Sequence, residues 1–224
     1  MSRVERPADL AQRLARASRR RKLERESAFL ASGAKPDFTS RAGVPALWAD
    51  LQRYMESLGL SDIEAAFATQ HVSNPYSGEI VKGHAVVLAE LGLVPFDGKL
   101  VRDADTFAAP WDRSRRADHI VHRLSFMREL FDRLSLATVP LYRGMSFAGA
   151  AGERTADSFV SSTFSLEVAM ALFDDRDVRS NGVLLRQATP IRRLFMTYLE
   201  TEQMNQQYAE AEAVLLGDSS GDLF

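Results

Sequence analysis

The sequence predicts an α+β fold in which a helical lobe, residues 1–136, precedes a sheet-rich core, residues 137–224. Two observations lead to this prediction. Apolar residues recur at helical spacing early in the chain and most clearly over 113–134, whereas short apolar runs replace that spacing from Ala137 onward. The chain is 46% hydrophobic and 26% charged, as ordinary globular proteins are, so we expect the two parts to form one compact domain.

The first predicted helix spans residues 8–32 and depends on its content of Ala, Arg, Lys and Glu as much as on apolar spacing. It contains the basic run 19–22, Arg-Arg-Arg-Lys. Such a run can contact phosphate or an acidic partner, but a solvated helix face is the favoured interpretation. Residues 33–45 are rich in Gly, Pro and Ser, so we interpret residues 1–43 as a mobile basic helix and linker.

Further helices follow from apolar stripes and from signals at the helix ends. Gly59 occupies a helix-stop position, and Ser61 with Glu64 has the spacing of a capping box. Residues 92–112 have no regular pattern. The predicted helices span 44–58, 61–70, 78–91 and 113–134.

Short apolar runs in the second part of the chain predict the strands of a sheet. A short helix over 166–173 interrupts them. Helices first and strands afterwards are typical of an α+β layout. The predicted strands span 139–142, 159–164, 183–186, 194–198 and 213–216.

Composition excludes several kinds of site. The chain has no cysteine, which rules out disulfides, thiolate nucleophiles and zinc–thiolate centres. It has four histidines, and although His119 and His122 are three residues apart, no acidic ligand pattern accompanies them, so we expect no metal. A net charge of −2 argues against general nucleic-acid binding.

The sequence also bears on location. No apolar run reaches membrane-spanning length, and the first residues lack the apolar centre of a secretory signal peptide. We therefore expect no membrane contact, and we also expect a monomer. It would act in the cytoplasm, or enter a host or target cell through a signal of another kind.

Polar residues on three predicted strands form the candidate site. Arg143 follows two apolar residues of the first strand, the tract 161–163 supplies hydroxyls on the second, and Glu210 and Glu212 run into the last. Residues i and i+2 of a strand point to one face, so a strand that includes both glutamates directs both carboxylates into one site.

Each motif alone also has an ordinary interpretation. The arginine can pair with a carboxylate at a strand end, hydroxyl residues are common in strands, and the glutamates can belong to a polar loop. A second pair, Glu200 and Glu202, has the same spacing. Polar residues rather than an apolar strand follow it, so we assign that pair to a loop.

Taken in order, Arg143, Ser161 and the Glu210–Glu212 pair resemble the Arg-Ser-Glu class of mono-ADP-ribosyltransferases over residues 138–216. Those enzymes cleave NAD, release nicotinamide and attach ADP-ribose to a target. The resemblance implies a sheet-rich NAD-binding core of the ADP-ribosyltransferase type, with NAD as substrate and no metal. It also implies a bacterial effector or toxin, or a phage-encoded modifier.

The resemblance implies a role for each residue of the set. Glu212 would stabilise the positive charge on ribose after nicotinamide leaves, and Glu210 would act on the incoming acceptor. Ser161 would orient the catalytic glutamate, and Arg143 would bind the pyrophosphate. A glutamate in the first position is typical of members that modify arginine, so the expected target is an arginine of a protein, while an RNA acceptor stays open.

The same resemblance assigns further residues to NAD binding, among them an aromatic residue that packs on nicotinamide and a basic residue in the following loop. They are Gly144, Ser162, Thr163, Phe173 and Arg176.

The sequence departs from the family pattern in places. Its hydroxyl tract has the order Ser-Ser-Thr instead of Ser-Thr-Ser. An alternative alignment, in which the side chain of Thr163 or Ser165 points into the site, therefore stays open. Ala213 stands where a bulkier residue is usual. Two other functions also stay open: a catalytically silent binding module of this fold, and a glycoside hydrolase with paired carboxylates.

Overall fold

The computed structural model describes residues 13, 14, 16, 17, 27–74, 78–94, 104–107, 111–148, 158–174, 180–206 and 208–217. Within them the predicted α+β class is confirmed, because a helical region comes first and a five-stranded antiparallel sheet second. The basic run 19–22 lies outside the described residues, and so do 218–224.

Most predicted helices are present with nearly the expected bounds. The first one, predicted over 8–32, is interrupted, because residues 13, 14, 16 and 17 are helical but Ser27 is not. The helices are α1 (Ala28–Ala31), α2 (Pro45–Ser57), α3 (Ser61–Ser73), α4 (Glu79–Glu90), α5 (Arg113–Arg133), α6 (Leu166–Asp174) and α7 (Gln203–Gln206). Single 3-10 turns occur at Ala104–Phe107 and Ile191–Arg193. Gly59 follows α2 with a φ of +66°, the left-handed conformation that ends many helices.

The predicted capping box at the start of α3 is wrong. Leu60 occupies the N-cap position with no side-chain hydrogen bond, and Ser61 is already the first helical residue. Glu64 instead turns into the protein, where one carboxylate oxygen lies 2.7 Å from His119 Nε2 and the other 3.1 Å from Arg123 Nη1. These two partners outcompete the local backbone contact because they satisfy a buried charge.

The sheet has the strand order β3–β1–β2–β5–β4, and neighbouring strands are antiparallel. The strands are β1 (Thr138–Ala148), β2 (Phe159–Thr163), β3 (Ser180–Pro190), β4 (Leu194–Thr197) and β5 (Glu212–Leu216). Each predicted strand is present. However, β1 and β3 have 11 residues each, because they pair from Thr138 opposite Pro190 to Ala148 opposite Ser180.

The hydrophobic core lies between the long helix α5 and the edge of the sheet that β4 forms. Ile120 and Leu124 of α5 are fully buried, as are Leu194 and Phe195 of β4. This packing fixes one end of the sheet, and α6 packs on β1 and β3 at the other. In the described ranges, no helix combines the length and the apolar character needed to cross a membrane.

Candidate active site

A cavity of about 280 Å³ opens over the middle of the sheet. Strands β1, β2 and β5 are neighbours there, and each brings residues of the predicted set to its wall. The predicted residues that line it are Arg143, Gly144, Ser161, Ser162, Thr163, Glu210 and Glu212. Sheet topology thus brings together motifs that are far apart in the sequence.

A hydrogen bond joins the second and third motifs directly. The hydroxyl of Ser161 donates to Oε1 of Glu212. The two strands pair with Thr163 opposite Glu212 and Ser161 opposite Val214, so Ser161 and Glu212 are diagonal neighbours across the strands. The sequence left open whether Ser161, or instead Thr163 or Ser165, faces the glutamate. In the structure, Ser161 is the residue that bonds Glu212.

The two glutamates share the cavity, but not because both lie on a strand. Strand β5 begins at Glu212, and Ala211 before it has a φ of +50°, in the left-handed region. The expected strand alternation over Glu210 and Glu212 is therefore wrong. A turn at Ala211 brings Glu210 to the cavity instead.

The turn is fixed by Thr163. Its hydroxyl donates to the carbonyl oxygen of Glu210 at 2.5 Å and accepts from the backbone N–H of Ser165 at 3.0 Å. The backbone N–H of Phe164 donates to the carbonyl oxygen of Ala211 at 3.0 Å. Thr163 is buried, so it acts on the backbone beside the cavity as well as lining its wall.

Burial raises the pKa of Glu212 above its usual value. The hydrogen bond from Ser161 opposes this rise, and the negative charge of Glu210 adds to it. A carboxylate in such a setting is poorly solvated, so it gains from a positive charge placed beside it.

Arg143 contributes a guanidinium to the same wall. Its Nη1 donates to the carbonyl oxygen of Ser161 at 2.8 Å, which ties β1 to β2 next to the serine hydroxyl. The side chain remains partly exposed to the cavity. It can therefore meet an anionic group of a ligand there.

Four residues outside the predicted set also line the cavity: Tyr142, Met145, Val168 and Leu172. Val168 and Leu172 are one turn apart on α6, a spacing that places them on one side of that helix. Nothing in the sequence distinguished Val168 and Leu172 from other apolar residues of a helix. Phe173 lies in α6, but its side chain is outside the described part of the chain, as is the whole of Arg176.

The competing pair has a different environment. Glu200 is 1% exposed, and its Oε1 accepts from Arg123 Nη2 at 2.8 Å and from the backbone N–H of Thr197 at 2.7 Å. Glu202 is exposed. Glu200 therefore belongs to a buried ionic cluster, whereas Glu202 is open to solvent.

The two closely spaced histidines, His119 and His122, have different partners. Nε2 of His119 lies 2.7 Å from a carboxylate oxygen of Glu64, whereas Nδ1 of His122 lies 2.7 Å from the hydroxyl of Tyr54. Among the described residues, no group of three or more His, Asp or Glu side chains is arranged to hold a metal ion.

The cavity thus combines a guanidinium, a hydroxyl bonded to a carboxylate, and a second carboxylate. This arrangement can bind an anionic group with Arg143 and can stabilise a positive charge beside Glu212.

A scan against protein-family models found no matching family, and searches of curated proteins and of solved structures found no match either.

Proposed function

We propose that the protein is a mono-ADP-ribosyltransferase that moves ADP-ribose from NAD to a target macromolecule, with an arginine side chain as acceptor. The observation that carries this proposal is the hydrogen bond from Ser161 to Glu212 in a cavity that Arg143 and Glu210 also line. The proposal extends to the fold: three adjacent strands that carry Arg, Ser and Glu support a core of the ADP-ribosyltransferase type.

The first step breaks the bond between nicotinamide nitrogen and ribose C1′. Nicotinamide leaves with the electron pair, and positive charge develops on the ribose. Glu212 is the group suited to stabilise that charge, as carboxylates do in glycoside hydrolysis. The hydrogen bond from Ser161 fixes the direction of the carboxylate before NAD arrives, so little reorganisation is needed during the reaction.

In the second step a guanidinium nitrogen of the acceptor forms a bond to C1′ and loses a proton. An arginine side chain is almost fully protonated at neutral pH, so its nitrogen attacks well only if a base orients it and accepts the proton. Glu210 lines the same cavity two residues before Glu212 and fits this role. The proton passes to its carboxylate.

NAD also brings a pyrophosphate. Arg143 can donate two parallel hydrogen bonds to phosphate oxygens, which a lysine cannot do. Its bond to the carbonyl oxygen of Ser161 holds the guanidinium at the cavity wall. We assign pyrophosphate binding to Arg143, with Gly144 permitting close approach of the backbone.

The deciding experiment incubates the protein with NAD labelled in its adenylate part and with a cell lysate. We expect release of free nicotinamide and label that becomes attached to macromolecules. Protease and ribonuclease digestion then distinguish a protein acceptor from an RNA acceptor. The Glu212→Gln protein is the matched control and should give neither product.

Other outcomes would support the competing functions. NAD that binds without loss of nicotinamide would indicate a silent binding module. Failure to bind NAD at all would contradict the proposal and favour an unrelated hydrolase with paired carboxylates.

A further inference from the structure

A second cavity, of about 290 Å³, lies between the helical region and the turn that follows β4. Helix α2 contributes Trp48 and Met55 to it, α3 contributes Glu64, and the turn contributes Glu200 and Glu202. This volume is near the lower end of the range for small-molecule pockets, roughly 300–1,000 Å³. It suits a group the size of one long side chain.

The ionisable residues that line this second cavity are all acidic: Glu64, Glu200 and Glu202. Arg123 lies behind two of them, 3.1 Å from Glu64 and 2.8 Å from Glu200, and is itself completely buried. One guanidinium thus serves two carboxylates. The wall of the cavity therefore attracts a cation and repels an anion.

The three glutamates differ in what they can offer to a ligand. The two carboxylate oxygens of Glu64 already contact His119 and Arg123. The carboxylate of Glu200 already accepts from Arg123, from the backbone and hydroxyl of Thr197 and from the hydroxyl of Thr201. Glu202 is exposed and makes no ion pair with any described residue. A ligand would therefore meet the carboxylate of Glu202 first. One available carboxylate is too few for a divalent metal ion, which takes several oxygen ligands.

The rest of the wall indicates what kind of cation fits. Trp48 supplies aromatic surface to this wall, whereas Met55 is completely buried. Gly43 lets the indole of Trp48 lie against the backbone, since a Cβ there would come within 2.5 Å of the indole Cζ2. A guanidinium is planar and weakly hydrated, and it stacks on aromatic rings while it bonds a carboxylate. A compact ammonium ion uses only the carboxylate.

We propose that this second cavity binds a guanidinium group on an aliphatic stem, that is, an arginine or an arginine side chain. Glu202 binds the guanidinium, and the indole of Trp48 covers one of its faces. None of these contacts involves NAD. The proposal can therefore hold or fail independently of the proposed transferase activity.

The test uses fluorescence of Trp48. The chain has two tryptophans, so the Trp111→Phe variant leaves Trp48 as the only indole reporter. The probe is N-acetyl-arginine amide, and N-acetyl-citrulline amide has nearly the same shape without the charge. We expect a saturable fluorescence change with the arginine probe and binding at least about tenfold weaker with citrulline, the scale of a charge-assisted contact.

Two variants assign the binding to one cavity. Glu202→Gln keeps the size of the side chain and should weaken binding by roughly three- to tenfold, as loss of a partly exposed ion pair does. Glu210→Gln alters the first cavity and should leave the response of Trp48 unchanged. The proposal would be overturned if Glu210→Gln weakened binding while Glu202→Gln did not. Equal binding of the citrulline and arginine probes, or no saturable response, would also overturn it.

A second measurement guards against a Trp111→Phe protein that does not fold. In the ¹⁵N-labelled natural chain, one of the two indole N–H resonances should shift with the arginine probe, and no indole shift would again overturn the proposal. Free arginine forms the remaining comparison. If free arginine binds as tightly as N-acetyl-arginine amide, the natural ligand is a small molecule. If free arginine binds more weakly, the natural ligand is an arginine within a polypeptide.

Discussion

The hydroxyl of Thr163 and the carbonyl oxygen of Glu210 are 2.5 Å apart, and this hydrogen bond attaches the segment before β5 to the centre of the sheet. The same hydroxyl accepts from the backbone N–H of Ser165. A single buried side chain thus satisfies two backbone groups next to the cavity. The position of the first glutamate depends on this contact rather than on strand geometry.

Replacement of Thr163 by valine tests that dependence. Valine has the same shape without the hydroxyl, so the carbonyl of Glu210 and the N–H of Ser165 lose their partner. We expect a loss of about 1–3 kcal/mol in the free energy of unfolding, the usual cost of unsatisfied buried groups. Urea denaturation measures it. Thr163→Ser keeps the hydroxyl and is the control; equal destabilisation by serine and valine would contradict the assignment.

Replacement of Arg143 by lysine tests pyrophosphate binding. Lysine retains the charge but cannot make two parallel hydrogen bonds to phosphate. We expect NAD affinity to fall by about 1.5–3 kcal/mol, as for a hydrogen bond to a charged group, in titration calorimetry. Arg186 on the neighbouring strand β3 is exposed, and Arg186→Lys should not change NAD affinity. Unchanged affinity in Arg143→Lys would remove Arg143 from the site.

Replacement of Arg123 by methionine tests whether the second Glu-x-Glu pair is structural. Glu64 and Glu200 would be left buried without their cation. We expect a loss of about 3–5 kcal/mol in unfolding free energy, the cost of breaking a buried ion pair from one side. Lys82→Met removes a partner from the exposed pair with Glu79 and should cost less than about 1 kcal/mol. A loss below about 1 kcal/mol in Arg123→Met would show that the buried cluster contributes little.

The fold class and most elements were predictable because they depend on local apolar periodicity. The lengths of β1 and β3 were not, since backbone pairing between them needs no apolar pattern. The role of Glu64 was also hidden. Its partner His119 is 55 residues away in the chain, so a local capping pattern could not reveal this contact.

The polar residues of the candidate site were predictable, but its backbone and its lining by Tyr142, Met145, Val168 and Leu172 were not. Arg143, Ser161 and Glu212 line one cavity because β1, β2 and β5 are adjacent, and their order along the chain predicted this through a resemblance to the Arg-Ser-Glu pattern. The left-handed φ of Ala211 could not be predicted, because alanine rarely adopts it and tertiary contacts impose it. Glu210 therefore lines the expected cavity because of the turn at Ala211 and not because it lies on a strand.

The raised pKa of Glu212 predicts how stability depends on pH. Because the folded protein raises this pKa, the carboxyl group contributes most to stability below its unfolded-chain pKa near 4.5, and that contribution is lost as pH rises through the folded pKa. Glutamine does not titrate. The stability of Glu212→Gln relative to the natural protein should therefore increase with pH and then level off. Urea unfolding between about pH 4.5 and 8 measures this difference; parallel curves would contradict it.

The last prediction separates the two glutamates by the steps they serve. In the proposed mechanism, Glu212→Gln removes the charge that stabilises the ribose cation, so NAD hydrolysis and transfer should both fall by roughly 10²–10³-fold, the effect of losing one electrostatic stabiliser. Glu210→Gln leaves Ser161, Arg143 and Glu212 in place. Water is small and can capture the cation without a positioned base, so slow hydrolysis should persist while transfer to arginine fails.

Nicotinamide release and label incorporation, measured in the same reaction, distinguish these outcomes. Glu202→Gln is the matched control, because this exposed glutamate belongs to the other Glu-x-Glu pair and does not line the first cavity. It should retain NAD hydrolysis. Equal loss of hydrolysis in Glu210→Gln and Glu212→Gln would contradict the division of labour, as would full transfer by Glu210→Gln. Loss of hydrolysis in Glu202→Gln alone would show that the other pair carries the chemistry.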